Sequence, residues 1–264
     1  MYTVWRPRPT SNGMEISIAA EKLFSIGFLP VTNALLIGVL VSAFLIFITT
    51  KATKNLIQVP RGVQNVLEII FEALLGLIES VTQDKKQARQ FFPLIATIFL
   101  FVLIANWAGL LPGLGTIGIT HTDAAGHATI IPFLRSTSAD LNFTLALSLI
   151  TVITVQFTGI AALGIVKYGK KFFISPFRKP YGIGMAVGIL ELVSEVGKII
   201  SFTFRLFGNV FAGEVLLTVM LHLVPYFLPL PFMFLEVFVG FIQAVVFAML
   251  TLVFLKMATL EPEH

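Results

Sequence analysis

Long apolar runs separated by short charged segments dominate the pattern along this chain. Residues 31–50 contain no charged side chain, and similar runs cover residues 91–111 and 141–166. A membrane hydrocarbon core about 30 Å thick is crossed by roughly 20 apolar residues in an α-helix. Each of these three runs therefore predicts one membrane-spanning helix.

A different pattern occupies residues 60–83. Apolar residues recur there at helical spacing, and three glutamates lie between them: Glu68, Glu72 and Glu79. Spacing of this kind predicts an amphipathic helix. Its polar face is too charged to cross a bilayer, so we expect this helix to lie at the membrane interface.

The last third of the chain contains two unusually long apolar runs. Residues 184–224 would form a single helix about 60 Å long at 1.5 Å per residue, so they either break into two spans or lie steeply tilted. Residues 232–258 follow a turn that extends from Pro225 to Pro231. The pattern predicts a C-terminal hairpin of two long, tilted helices.

The basic residues of the loops predict the orientation. The loop 51–90 holds six Lys or Arg residues and the loop 167–183 holds five, whereas the loop 112–140 holds only Arg135. Cytoplasmic loops carry the excess of basic residues. We therefore expect five crossings, with residues 184–224 crossing once, the N-terminal segment 1–30 external and the C-terminus cytoplasmic.

Composition supports the same class of protein. Of the 264 residues, 56% are apolar and only 12% are charged, about half the charged share of a soluble domain. The prediction is a single all-α polytopic membrane domain, which excludes an ordinary soluble enzyme. The absence of cysteine excludes disulfides and thiolate chemistry. No metal site or cofactor site is predicted. No nucleic-acid surface is predicted either, because the basic loops serve as orientation signals.

The candidate chemistry centres on Arg205, which lies deep in the run 184–224. An arginine at a helix centre costs roughly 2.5–3.5 kcal/mol to insert, and its guanidinium group stays protonated in proteins. A permanent cation at such depth indicates an ion pathway.

Other polar residues follow Arg205 along its helix. With a turn of about 100° per residue, four of them share its face: Asn209, Lys198, Ser194 and Glu191. Glu214 falls on the opposite face and nearer the external end. On the last helix, Glu236 and Gln243 share one face. The pattern predicts two polar half-paths, external and cytoplasmic, separated by the fixed charge of Arg205.

Four segments, in order, resemble one known family. The run Arg205-Leu-Phe-Gly-Asn-Val-Phe-Ala-Gly-Glu214 is similar to the signature of subunit a of F-type ATP synthases. The segments 60–68, 106–113 and 137–142 resemble the family's regions before the interfacial helix, at the end of the second span and at the start of the third. The resemblance therefore covers nearly the whole chain.

The resemblance implies a stator that faces a rotating ring of c-subunits, held by peripheral-stalk b-subunits within the F1Fo complex in a lipid bilayer. The subunit moves protons and does not itself hydrolyse ATP. Arg205 corresponds to the family's essential arginine, which couples ion passage to rotation of the ring. The family's external half-channel corresponds to Asn209, Glu214, Glu236 and Gln243. Its cytoplasmic half-channel corresponds to Glu191, Ser194 and Lys198. A bacterial plasma membrane is expected, with an organelle inner membrane as the alternative.

One feature departs from some family members, which carry histidine at the position of Glu236 and a different residue at that of Glu214. Here both positions are acidic, and two nearby acids titrate as a coupled pair.

The alternative functions are a stand-alone secondary transporter for an anionic solute and a scaffold whose buried ion pairs have no transport role. The transporter predicts internal repeats, which the sequence does not contain.

Overall fold

A computed structural model of the protein describes residues 22–26, 29–54, 61–111, 118–122, 128–132, 135–172, 183–224 and 227–260. Most of the predicted external N-terminal segment 1–30 lies outside these residues. Within the described ranges, the chain forms seven α-helices, two β-hairpins and one short 3₁₀ turn.

The helices are, in chain order, α1 (Asn33–Thr53), α2 (Val63–Thr82), α3 (Lys85–Ala108), α4 (Leu141–Leu163), α5 (Ile165–Phe172), α6 (Ile183–Leu223) and α7 (Pro229–Thr259). The hairpins pair β1 (Lys22–Ile26) with β2 (Leu29–Thr32) and β3 (Gly118–Thr122) with β4 (Ala128–Pro132), both antiparallel. The sequence analysis did not predict these hairpins, which precede α1 and interrupt the segment between α3 and α4.

Five helices in the described part of the chain are long and apolar enough to cross a membrane: α1, α3, α4, α6 and α7. The prediction of an all-α polytopic membrane protein with five spans is thereby confirmed. Helix α2 is not among them. It packs against α3 and buries Leu74 and Ile78, while Val66 and Ile69 are exposed.

Short polar residues fix where three of the spans begin. Thr32 accepts a hydrogen bond from the Leu35 amide at the start of α1, over 3.2 Å. Asp84 and Asp140 cap α3 and α4 in the same way. Side chains of this kind satisfy amide groups that have no partner within a helix. The cap at Asp84 explains why α3 begins six residues before the predicted residue 91.

The two C-terminal helices form an antiparallel hairpin. Helix α6 is continuous over 41 residues, and α7 extends over 31 residues, which confirms the predicted pair of long helices. The rings of Phe202 and Phe247 pack with centroids 4.6 Å apart. Helix α7 begins at Pro229, three residues before the predicted residue 232. The fixed φ of proline suits the first turn of a helix, so the connecting turn is shorter than expected.

A buried connector, residues 135–140, joins the spans on one side of the bundle. All six of its residues are buried. Thr137 donates a hydrogen bond to the carbonyl oxygen of Ala34 at 3.2 Å, and Ser136 packs directly on Gly109, at the end of α3. The connector also contacts α4 and α6. It therefore fixes Arg135, its first residue, relative to four spanning helices.

Candidate functional site

Arg205 lies near the middle of α6, as the sequence predicts, and its side chain is partly buried. Its Nη2 atom donates a hydrogen bond to the Ser201 hydroxyl at 3.2 Å. Asn209 donates to the backbone carbonyl oxygen of Arg205 at 2.9 Å. Within the residues that the structure describes, Arg205 forms no ion pair with a carboxylate.

The face of α6 that carries Arg205 is not covered by the other described helices. Ser201 and Asn209 are exposed, and a Cβ atom added at Gly197 or Gly208 would meet nothing within 4 Å. The opposite face is buried by residues that pack on α4 and α7: Phe202, Thr203, Leu206 and Val210. The guanidinium group therefore belongs to a surface that is open for a partner.

Glu214, nine residues beyond Arg205, pairs with a different arginine. Arg135 donates from Nε to both carboxylate oxygens, at 3.1 and 3.3 Å, and from Nη2 to Oε2 at 3.2 Å. The Arg135 side chain is only 8% exposed, and that of Glu214 is 33% exposed. Sequence reasoning did not include Arg135 in the site. The available signal was its position as the only Lys or Arg residue in the loop 112–140.

Glu236, on α7, lies against the neighbour of Glu214. A Cβ atom built on Gly213 would come within 2.2 Å of the Glu236 carboxylate. The Glu236 residue is 8% exposed, and no hydrogen bond to its side chain is formed within the described ranges. The Glu236 carboxylate therefore lies beside Gly213, the residue that precedes Glu214 on α6. Glu214 is paired with Arg135, whereas Glu236 has no ion pair among the described residues.

The end of α3 holds α7 in register near Glu236. Asn106 donates a side-chain hydrogen bond to the carbonyl oxygen of Gly240 at 3.1 Å, and Trp107 donates to that of Val237 at 3.0 Å. Gln243, the other predicted residue of α7, is partly buried. In the described part of the chain, no hydrogen bond connects Gln243 with Glu236.

The predicted cytoplasmic group lies on the other side of Arg205. Lys198 pairs with Glu195 at 2.6 Å and lies over the ring of Phe254, with its Nζ atom 4.8 Å from the centroid. Glu191 is partly buried, and Ser194 is exposed. Lys198 therefore has an ionic partner on its own helix, at Glu195.

Tyr168, on α5, is a further member of this region that sequence reasoning missed. Its hydroxyl donates to Oε1 of Gln156 on α4, and its ring packs on Gly159. Burial, followed by the nearby negative charges of Glu195 and Glu191, raises the pKa of Tyr168 from 10.0 to about 12. No pattern in the sequence distinguished this tyrosine, because its partners lie on other helices.

The axial positions on α6 separate two groups of charges. At 1.5 Å per residue, Glu214 lies about 14 Å from Arg205 in one direction, and Lys198 lies about 10 Å away in the other. Both outer positions are occupied by ion pairs. Arg205 stands between them as a cation without an ionic partner in the described part of the chain.

The fold and these side chains define a polytopic helical membrane protein whose longest helix carries an arginine, Arg205, within an apolar run. The family model for the ATP synthase A chain matches residues 31–256. The chain therefore belongs to the ATP synthase A chain family, which supports a role as a stator of the membrane sector of that complex.

Individual relatives agree with this assignment. The chain is similar to ATP synthase subunit a of Helicobacter pylori (strain P12), with 35% identity over 231 residues that cover 85% of this chain and 88% of the relative. For that of Campylobacter jejuni (strain RM1221), the identity is 34% over 229 residues, with the same two coverages, 85% and 88%. Subunit a of Moorella thermoacetica is 32% identical over 235 residues, 89% of this chain and 94% of the relative.

Proposed function

We propose that this protein is the proton-translocating stator subunit of a rotary F-type ATP synthase and that it forms two half-channels against a ring of c-subunits. Arg205 is the charge that couples proton passage to rotation. The peripheral-stalk b-subunits hold the subunit in place within the whole complex. Its location is the bacterial plasma membrane, with the N-terminus external and the C-terminus cytoplasmic.

The proposal is carried by one observation, the position of Arg205 on the uncovered face of α6 without a carboxylate partner among the described residues. A permanent cation within a spanning helix is costly when it has no partner. A carboxylate on a passing c-subunit supplies the missing charge. The guanidinium group stabilises the ionised form of such a carboxylate, because an opposite charge at close range favours it.

The residues on either side of Arg205 support the two half-channels. For the external half-channel, α6 and α7 carry acidic and amide groups: Asn209 and Glu214 on α6, and Glu236 and Gln243 on α7. Towards the predicted cytoplasmic side, α6 carries Glu191, Ser194 and Lys198. A proton that enters one half-path neutralises a ring carboxylate and leaves by the other half-path after rotation. Arg205 prevents direct passage between the two, because a fixed positive charge repels a proton.

Co-purification tests the proposal against a stand-alone transporter. The protein, tagged at its C-terminus and isolated in mild detergent from its native membrane, should retain a ring of c-subunits and b-subunits. When reconstituted alone into vesicles, it should move neither protons nor anionic solutes. A purified single chain that transports an anionic solute without other subunits would contradict the proposal.

A further inference from the structure

A cavity lies between the ends of three spanning helices in the described part of the chain. Its volume is about 550 Å³, within the range of roughly 300–1,000 Å³ that is typical of small-molecule sites. The start of α3 and the ends of α4 and α7 surround it, so it lies at the predicted cytoplasmic interface. Six residues of its lining are Gln87, Gln90, Phe91, Phe157, Thr158 and Thr259.

The lining of the cavity has a polar and an apolar part. Amide and hydroxyl groups form the polar part, in which Gln87 donates a hydrogen bond to the hydroxyl of Thr259 at 2.9 Å. The rings of Phe91 and Phe157 belong to the apolar part. No residue of the lining carries a carboxylate, so nothing in it repels an anion.

Lys86 adds a positive charge at the edge of this cavity. It lies four residues before Gln90 on α3, and residues with this spacing are neighbours on one face of a helix. Its side chain is exposed, and it forms no ion pair within the described residues. The nearby acid, Asp84, instead accepts a hydrogen bond from the backbone amide of Lys86. The ammonium group is therefore available to an anion.

An exposed apolar strip leads from the cavity towards the middle of the bilayer. It consists of Phe157, Ile153 and Ile150, on one face of α4, which are 68%, 44% and 60% exposed. At 1.5 Å per residue, Ile150 lies about 10 Å from Phe157 along the helix axis. This length fits within one leaflet, which is half of a hydrocarbon core of about 30 Å. A neighbouring protein helix would cover the strip without filling the polar cavity, whereas a lipid has a part for each.

We propose that the cavity between α3, α4 and α7, with Lys86 at its edge, binds one anionic phospholipid of the predicted cytoplasmic leaflet. The headgroup contacts Lys86 and the amide and hydroxyl groups, and an acyl chain lies along the strip on α4. Basic pockets between spanning helices on the cytoplasmic side bind anionic headgroups by the same chemistry. This inference does not depend on proton translocation by the subunit.

Two adjacent lysines provide matched variants. Lys85 is exposed like Lys86, but a turn of about 100° per residue places it on a different face of α3 from Gln90. Lys86→Gln and Lys85→Gln remove the same charge from the same turn of the helix. Only Lys86→Gln should weaken the binding of the lipid, by about fivefold, which is the contribution of one lysine near an anionic headgroup.

Cysteine labelling reports whether the cavity is occupied. The chain has no native cysteine, so Ala162→Cys, in the lining, introduces a single thiol into this subunit. The assembled complex is placed in vesicles of phosphatidylcholine, with or without phosphatidylglycerol. Phosphatidylglycerol should slow the reaction of this thiol with uncharged N-ethylmaleimide at least about threefold. Ala73→Cys, exposed on α2 and outside the lining, measures the general effect of a negative membrane surface.

The lysine variants are then combined with Ala162→Cys. Lys86→Gln should remove most of the slowing, and Lys85→Gln should keep it. Equal slowing of the two cysteines by phosphatidylglycerol, or equal behaviour of the two lysine variants, would overturn the inference. Slow labelling in phosphatidylcholine alone, without a further effect of phosphatidylglycerol, would also overturn it, because a protein segment would then fill the cavity.

A count of bound lipid decides the question if the Ala162→Cys complex does not assemble. Native mass spectrometry of complexes purified from the mixed vesicles should find one phosphatidylglycerol fewer with Lys86→Gln than with Lys85→Gln. Equal counts would overturn the inference. Neither measurement uses proton pumping as its readout, so failure here leaves the proposed function untouched.

Discussion

The carboxylate of Glu236 occupies the space beside Gly213 where any other residue would place its Cβ atom. A Cβ atom there would lie 2.0–2.2 Å from the carboxylate atoms, far closer than van der Waals contact. The Glu236 carboxylate can therefore occupy this position only because residue 213 is glycine. The Glu236 side chain extends from α7 to the backbone of α6 at Gly213.

Gly213→Ala should displace the Glu236 carboxylate and lower ATP-driven proton pumping at least about tenfold, because proton transfer depends on position at the scale of a hydrogen bond. The unfolding temperature should change little, since the group that must move is the end of a flexible side chain. Pumping is measured by fluorescence quenching in inverted vesicles. Gly76→Ala, in α2, is the matched control, because an added Cβ there meets nothing within 4 Å. Parental pumping by Gly213→Ala would contradict the assigned geometry.

Tyr168→Phe tests the effect of pH on stability. The pKa of Tyr168 is raised from 10.0 to about 12, which means that the folded state favours the protonated hydroxyl. The contribution of the protonated Tyr168 hydroxyl to folding stability is complete below pH 10 and is lost as the pH rises through about 12. At pH 8, Tyr168→Phe should be less stable than the parent by about 1 kcal/mol, because the hydrogen bond to Gln156 is lost.

The difference in unfolding free energy between the parent and Tyr168→Phe should shrink above pH 10 if the raised pKa of Tyr168 reflects the folded environment. Unfolding of the complex in detergent, followed by circular dichroism at pH 8, 9 and 10.5, measures it. A difference that grows with pH would mean that the hydroxyl is stabilised in its ionised form, contrary to this account.

Lys198→Met should destabilise the protein by up to about 3 kcal/mol, because it leaves the charge of Glu195 poorly solvated. The two side chains are 16% and 13% exposed, and Oε2 of Glu195 already has no hydrogen-bond partner in the described part of the chain. The double variant Lys198→Met/Glu195→Gln should recover most of the loss. Thermal unfolding of the purified complex measures both effects. Equal instability of the single and double variants would show that Lys198 acts mainly through Phe254 and not through the ion pair.

Hydrophobic patterning predicted most of the fold, for a physical reason. A bilayer demands about 20 apolar residues per helical span, so the runs that became α1, α4, α6 and α7 are visible without tertiary information. The start of α3 was less predictable because Asp84 caps the helix within a charged segment. The β-hairpins β1–β2 and β3–β4 have no strong alternation in sequence.

The candidate site was predictable only in part. Arg205 and Glu236 stand out as charges within apolar runs, which is a local signal. The pair between Arg135 and Glu214 joins residues 79 positions apart, and the contact of Glu236 with Gly213 depends on the packing of α6 on α7. Such relationships are set by tertiary structure. For the same reason the sequence left the two acids equivalent, whereas their surroundings differ.

The central claim is that Arg205 couples proton passage to rotation, and its most direct test is ATP-driven proton pumping by vesicles that carry the assembled complex with Arg205→Ala. The account predicts that pumping is abolished while the complex stays assembled and ATP hydrolysis persists. Pumping at a rate near that of the parent would contradict it, because Arg205 would then be a structural residue on the surface of α6.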